Sequence, residues 1–292
     1  MRTLALAAAL ALVAAAVPAR ADESSLTIEV QPDGRGQLRL EVTESLSTSA
    51  RLLECASTAQ ALERRAQELA LQRLGRWEGV VAWTGLLASV TGERRVRLRA
   101  TGWFEDLRQV REATGDEGRG VTFDLQVDEG ALEVRLVEGA TRDLPDLGDL
   151  AGLLDRGPAG VALLREVTRD LLAARALDGW RHEVALVLPA PIAAAPGATT
   201  VEGRRAAWVV DGEALGAAMD ALYARAEDLA RRVEAGELTR DDAAAQLVAG
   251  GAADRRVAAR APLPPEEERA AARAAFDGSL AAARGAWESS IW

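Results

Sequence analysis

The residue types that carry most enzyme chemistry are scarce in this chain. Among its 292 residues there is one His (His182), one Cys (Cys55) and one Tyr (Tyr223). A general base needs a nucleophile or an acid within hydrogen-bond reach. His182 opens an alternating run just after Trp180, and no Ser or Cys motif stands beside it. The sequence holds no G-x-S-x-G, no H-E-x-x-H, no phosphate loop and no dinucleotide fingerprint. His182 is therefore expected to be structural. A lone cysteine forms no internal disulfide, so Cys55 is expected to be a small buried hydrophobe and the fold must stand on its core.

Three further groups have spacing that chemistry could use. Asp143, Asp146 and Asp149 recur every third residue in a Leu, Gly and Pro loop. Calcium takes six to eight oxygens, but this spacing matches no EF-hand loop, and solvation is the expected fate of these carboxylates. Arg95, Arg97 and Arg99 share one face of a strand, opposite Val96 and Leu98. Such a row can grip a phosphate or an acidic head group in bidentate fashion. More often such a row pairs with carboxylates on a neighbouring strand, such as Glu133 or Asp124, and that structural use is the expected one. Finally, Trp77, Trp83, Trp103, Trp180 and Trp208 all lie in or beside predicted strands, in a chain with only three Phe. Large rings on a sheet fill a core, or line an apolar pocket for a greasy ligand.

Composition narrows the partners. All 35 basic residues are arginine, against 45 acidic residues, for a net charge of -10. An acidic chain lacks the long-range attraction that draws proteins onto phosphate backbones, which excludes nucleic acid as an expected partner. With 49% hydrophobic and 27% charged residues the chain is globular in composition.

The elements that must position these residues are legible in outline. Leu26, Ile28 and Val30 alternate with polar neighbours, as do Leu38, Leu40 and Val42, and Pro32 to Gly36 supplies turn residues between them. A helix is predicted from Ser57 or Thr58 to Leu74, ended by Gly75. Val80 to Val90 and Val96 to Ala100 form a second strand pair about Gly92-Glu93, and Glu105 to Glu112 suggests a short helix. The third hairpin joins Val121–Val127 to Leu132–Leu136 through Glu129-Gly130, and Thr141 to Gly160 reads as loop. Val161 to Leu177 is amphipathic, with Leu164, Val167, Leu171 and Ala174 on one face. Strands follow at Arg181–Leu188 and Arg205–Val210. Asp211 caps a long helix ending near Gly236, Thr239 with Asp242 signals another, and Pro265 with Glu266, Glu267 and Glu268 starts the last. Periodicity leaves Arg256 to Ala261 open between strand and linker.

The first 21 residues read as a secretory signal. Arg2 supplies the positive end, Leu4 to Val17 an unbroken apolar run, and Ala19-Arg20-Ala21 a cleavage site. That run is shorter than the roughly 20 residues a membrane-spanning helix needs. Cys55 lies far beyond the cleavage site, so it is no lipobox cysteine.

The order of pieces resembles a known family. A signal peptide leads into a hairpin with an Asp33-Gly34-Arg35-Gly36 turn, and later come Val184 to Pro189, Gly197 and a short strand ending at Trp208. This is similar to the secreted domain of the mycobacterial LppM-like envelope lipoproteins, over roughly Leu26 to Val210. The resemblance implies an extracytoplasmic domain related to lipid-binding folds, with a role toward envelope lipids. The chain departs from the pattern in lacking both the lipobox cysteine and a second anchor near its C-terminus, so membrane attachment does not carry over.

The expected fold is thus α+β: antiparallel hairpins forming a curved sheet covered by two or three amphipathic helices, with a helical C-terminal region. The expected domains are a signal at 1–21, a core at 22–210 and a helical region at 211–292, the last either packed on the core as one large domain or appended to it. The expected role is non-enzymatic, in the periplasm or secreted, without cofactor or metal. Two readings stay open. One is a binding protein for a lipid or other hydrophobe, held between the sheet and the helix Val161–Leu177 by Trp83, Trp103, Phe104, Trp180 and Trp208. The other is a solid-cored envelope module that docks a protein partner through its helices from Asp211 onward.

Overall fold

Leu26, Ile28 and Val30 sit on one face of strand β1 (Ala21–Val30), and Leu38, Leu40 and Val42 on the matching face of β2 (Gly36–Ser45). Leu26 stands opposite Leu40 and Ile28 opposite Leu38, so alternation along each strand becomes one apolar surface across the pair. The computed structural model describes residues 21–45, 59–91, 95–113, 121–128, 130–138, 152, 154–175, 181–251 and 255–290. The signal-like residues before Ala21, Cys55, the Asp143, Asp146 and Asp149 group, and Trp180 lie outside them.

After helix α1 (Ala59–Leu74) come β3 (Trp77–Glu78), β4 (Val80–Thr91) and β5 (Arg95–Phe104). The short helix expected at Glu105–Glu112 is a single 3-10 turn, Leu107–Gln109, capped by Asp106. Its continuation is extended instead, because Glu112 pairs with Trp77 as β6 (Arg111–Glu112). The clean hairpin follows as β7 (Val121–Asp128) and β8 (Ala131–Glu138). Helix α2 (Gly157–Arg175) then leads to β9 (Arg181–Val187), β10 (Thr200–Glu202) and β11 (Arg205–Asp211). Helices α3 (Gly212–Glu234) and α4 (Arg240–Gly251), strand β12 (Arg255–Pro262) and helix α5 (Glu266–Ser290) complete the order.

The strands form two sheets. Seven run in the order β10-β11-β9-β1-β2-β5-β4 and five in the order β12-β8-β7-β6-β3. Every pairing is antiparallel except that of β1 with β9. The inner faces meet in one apolar cluster. Ile28, Leu38, Phe104 and Leu186 from the larger sheet and Leu132 and Leu136 from the smaller one are all fully buried within it. One further contact ties the sheets together. Ala193 and Ala194 of the loop after β9 donate to the carbonyl of Arg260 in β12, at 2.8 and 3.2 Å. The segment left open as strand or linker is therefore a strand, with Val257, Ala259 and Ala261 facing Leu136, Val134 and Leu132. A boundary at Val210 would separate β12 from the sheet it completes.

The class is α+β, with one mixed and one antiparallel sheet, both open, and five helices among the described residues, but α2, one of the helices expected to cover the sheet, lies elsewhere. α1 covers part of the inner face, where Ala66 packs on Val96 and Ala70 and Leu74 join the cluster. α5 lies against the opposite face, Phe276 meeting Trp103 with ring centroids 5.5 Å apart. α2 packs instead on α3, which also carries α4, in a separate cluster of Leu154, Val161, Leu222, Leu229 and Leu247. The reason is complementarity along α3. Its apolar stripe meets that of α2, and Asp220 lies between Arg165 (Nε to Oδ1, 2.8 Å) and Arg169 (2.7 Å), while Thr168 donates to Tyr223 at 3.2 Å.

That cluster should be acid-sensitive. Hydrogen bonds from Arg165 and Arg169 hold the Asp220 carboxyl far below the usual carboxylate range. A carboxyl lowered on folding contributes its stability in full above the unfolded value of about 3.9, and loses it as pH falls toward the folded value. Ring signals of Tyr223, the only tyrosine, are expected to shift to unfolded positions earlier on acidification than the β1 and β2 amides do. In Asp220→Asn that difference should disappear. Simultaneous loss of both sets in the parent protein would refute the separate behaviour.

Candidate functional site

The outer face of the seven-stranded sheet is the reverse of the core, and at one end it forms a polar groove of 590 Å³. Register builds it rung by rung. In one rung Arg97, Thr43, Glu23 and Arg181 stand side by side on β5, β2, β1 and β9. In the next, Arg99, Glu41, Ser25 and Glu183 do the same. Because side chains alternate along each strand, all eight point away from the core. Arg95 flanks the groove at its rim.

The charges here are organised in pairs of arginines around single glutamates. Glu41 accepts from Arg99 at 2.5 Å and lies 4.0 Å from Arg97. Glu183 accepts from Arg181 at 3.1 Å and from Arg205 on β11. Burial pushes the Glu183 carboxyl up, but the bonds from Arg181 and Arg205 outweigh it and hold the group below its ordinary value. The arginine row does pair across the sheet, with Glu41 rather than Glu133 or Asp124. Those two belong to the other sheet, where Glu133 accepts from Arg135 at 2.6 Å and Asp124 from Gln126 at 3.0 Å.

His182 also borders this region, from the inner side. It is buried, and its Nδ1 lies 2.6 Å from the hydroxyl of Ser24, which lines the groove. The contact ties β9 to β1 beside their parallel pairing. Among the described residues, no group of three or more His, Cys, Asp or Glu side chains is gathered where it could hold a metal ion.

The aromatic residues divide between the faces. Trp83, Phe104 and Trp208 lie on the inner face and are buried at 6%, 0% and 5% exposure. Trp83 and Phe104 fill hollows over glycines. A Cβ on Gly102 would fall 2.9 Å from the Trp83 ring, and one on Gly36 would fall 2.8 Å from Phe104 and 2.0 Å from the Glu29 carbonyl oxygen. Trp208 donates its indole N–H to the Pro196 carbonyl at 3.1 Å. Trp103 is on the outer face, donating to Thr84 at 3.0 Å under Phe276. These four residues therefore do not converge on one pocket wall, and Trp180 lies outside the described residues. What sequence reasoning missed is the second half of the groove: Arg181, Glu183 and Arg205 come from strands far along the chain. The signal that was available is the in-phase spacing of Arg181 and Glu183, which puts both on one face of their strand.

No helix among the described residues is long and apolar enough to cross a membrane. No family model matches the chain. No curated protein matches it in sequence. Among solved structures it is similar to the NMR structure of the folded domain of the Mycobacterium tuberculosis LppM protein. The two share 10% identity over 84% of this chain and 91% of that one, with a TM-score of 0.32.

Proposed function

We propose that this chain is a non-catalytic binding protein of the bacterial cell envelope, acting outside the cytoplasm, and that its ligand sits in the polar groove over β1, β2, β5 and β9. The observation that carries this reading is the groove itself. Four strands contribute arginine, glutamate and hydroxyl side chains to one concave patch that needs none of them for the core. The secretory character of residues 1–21 supports the compartment. The alternative of a greasy ligand between the sheet and Val161–Leu177 lacks its second wall, because α2 packs on α3. A docking face on α3 and α4 is likewise partly spent, since Leu222, Leu229 and Leu247 are buried against α2 and each other.

Native mass spectrometry of the protein secreted from a bacterial host tests the reading. A co-purified adduct, or one taken up from an envelope extract, is expected for the parent chain and for Trp83→Phe. It should be lost in the double variant Arg97→Ala with Arg181→Ala. An adduct of lipid mass that survives in the arginine variant but disappears in Trp83→Ala would move the ligand into the core and overturn the proposal.

A further inference from the structure

Resting on the reading of the groove as a binding site, we infer that its ligand presents a compact oxyanion, phosphoryl or carboxylate, which Arg97 and Arg181 clasp from opposite sides. The first argument is charge. This end of the outer face carries Arg95, Arg97, Arg99, Arg181 and Arg205 against Glu23, Glu41, Glu183 and Asp211, the last opposite Arg181 on β11. Five positive charges against four negative ones leave an excess of one, in a chain whose net charge is -10. A local surplus of the minority sign focuses anions onto the patch.

The second argument is donor capacity. A guanidinium has five N–H donors in a planar fork. Glu183 is shared by Arg181 and Arg205, and Glu41 bonds Arg99 with Arg97 beside it, so the glutamates hold three of the forks without consuming all their donors and draw the fourth near. Arg97, in particular, is only within 4.0 Å of Glu41, while Arg99 makes the close bond. Arginines held in place by a carboxylate are preorganised for bidentate recognition of a second oxyanion.

The third argument is spacing. Arg97 and Arg181 lie in one rung, with Thr43 and Glu23 between them. Three strand spacings of about 4.8 Å put their Cα atoms about 14 Å apart. Two arginine side chains can close that distance around one oxyanion, with the Thr43 hydroxyl beneath it. Glu23, between Thr43 and Arg181, repels an anion above it, so the oxyanion is placed on the Thr43 side of the rung.

The design also supplies its own control. Removing Arg97 leaves Glu41 bonded to Arg99, and removing Arg181 leaves Glu183 bonded to Arg205, so neither substitution strands a carboxylate. Both arginines are more than half exposed, at 51% and 55%, and the fold is expected to tolerate their loss.

The experiment is a titration of amide resonances in the parent protein with inorganic phosphate, with sodium chloride at matched ionic strength as reference. Saturable shifts at Ser25, Thr43 and Arg97 are expected with phosphate and not with chloride. Each single alanine variant should weaken binding about tenfold or more, as loss of a charge-assisted hydrogen bond does. Arg111→Ala, on the other sheet, should leave it unchanged. Glycerol phosphate and vesicles of phosphatidylglycerol separate a soluble ligand from a lipid head group, according to which competes with inorganic phosphate. Equal shifts with chloride, or undiminished binding in the double variant, would overturn the inference. Shifts of the same residues by a neutral disaccharide but not by phosphate would overturn it too, while leaving the groove as the binding site. No response to phosphate together with an adduct retained by the double variant in mass spectrometry would remove both.

Discussion

Phe104→Ala is expected to lower stability by about 3–5 kcal/mol, the usual cost of emptying a large ring from a core that cannot collapse. Phe104 ends β5, is fully buried, and stands opposite both Gly36 and Val80. Its ring occupies the hollow that Gly36 leaves, and the Glu29 carbonyl closes the far side of that glycine. Neither wall can move inward without breaking the β1–β2 pairing. With total stabilities of about 5–15 kcal/mol for folded domains, this one ring carries a large share. Urea unfolding should show a lower midpoint at unchanged slope. A loss below about 1 kcal/mol, the range of substitutions that leave no void, would mean the interior is loosely filled. That outcome would also revive the hydrophobic ligand, because a space that is cheap to empty is a space that can be occupied.

Local signals carried much of this architecture. Alternation located β1 with β2 and β7 with β8, and the long apolar run located β4. Capping residues located α3, where Asp211 accepts from the Ala214 amide at 2.9 Å, and α4, where Thr239 accepts from Asp242 at 3.1 Å. These features depend on neighbours a few residues apart. Parallel pairing of β1 with β9 does not. Leu26 meets Val184 across more than 150 residues, and nothing in either strand's own pattern names the other. The same gap hid the groove. Arg95, Arg97 and Arg99 were visible as a row, but the row acquires a partner only when β2 brings Glu41 beside it and β1 carries it toward β9. Helix α2 illustrates a different loss. An amphipathic stripe shows that a helix must bury one face, and says nothing about whether a sheet or another helix receives it. Strand β12 was ambiguous for a related reason: Val257, Ala259 and Ala261 alternate correctly, but alanine marks a buried strand weakly beside so many alanine-rich helices.

Ending the chain at Gly236 is expected to abolish cooperative folding, because the removed segment belongs to the core and not to an appendage. β12 supplies Val257, Ala259 and Ala261, each no more than 1% exposed, directly beside Leu132, Val134 and Leu136. α5 supplies Phe276, Leu280 and Ala283, also buried, over Trp103 and the β4 edge. Burying one large apolar side chain contributes about 1.5–3 kcal/mol, so Val257, Phe276 and Leu280 alone approach the stability of an average domain. Truncation would also turn β8 into an open edge, a template for aggregation. Broad, non-cooperative thermal unfolding with strong binding of a hydrophobic dye is the expected result. A sharp transition close to that of the full chain would instead show the two sheets to be self-sufficient without β12. The distinction governs how binding must be probed. A ligand or partner lost on truncation would report unfolding of the sheet, whereas exposed single substitutions such as Arg97→Ala and Arg181→Ala change the groove while leaving the core beneath it in place.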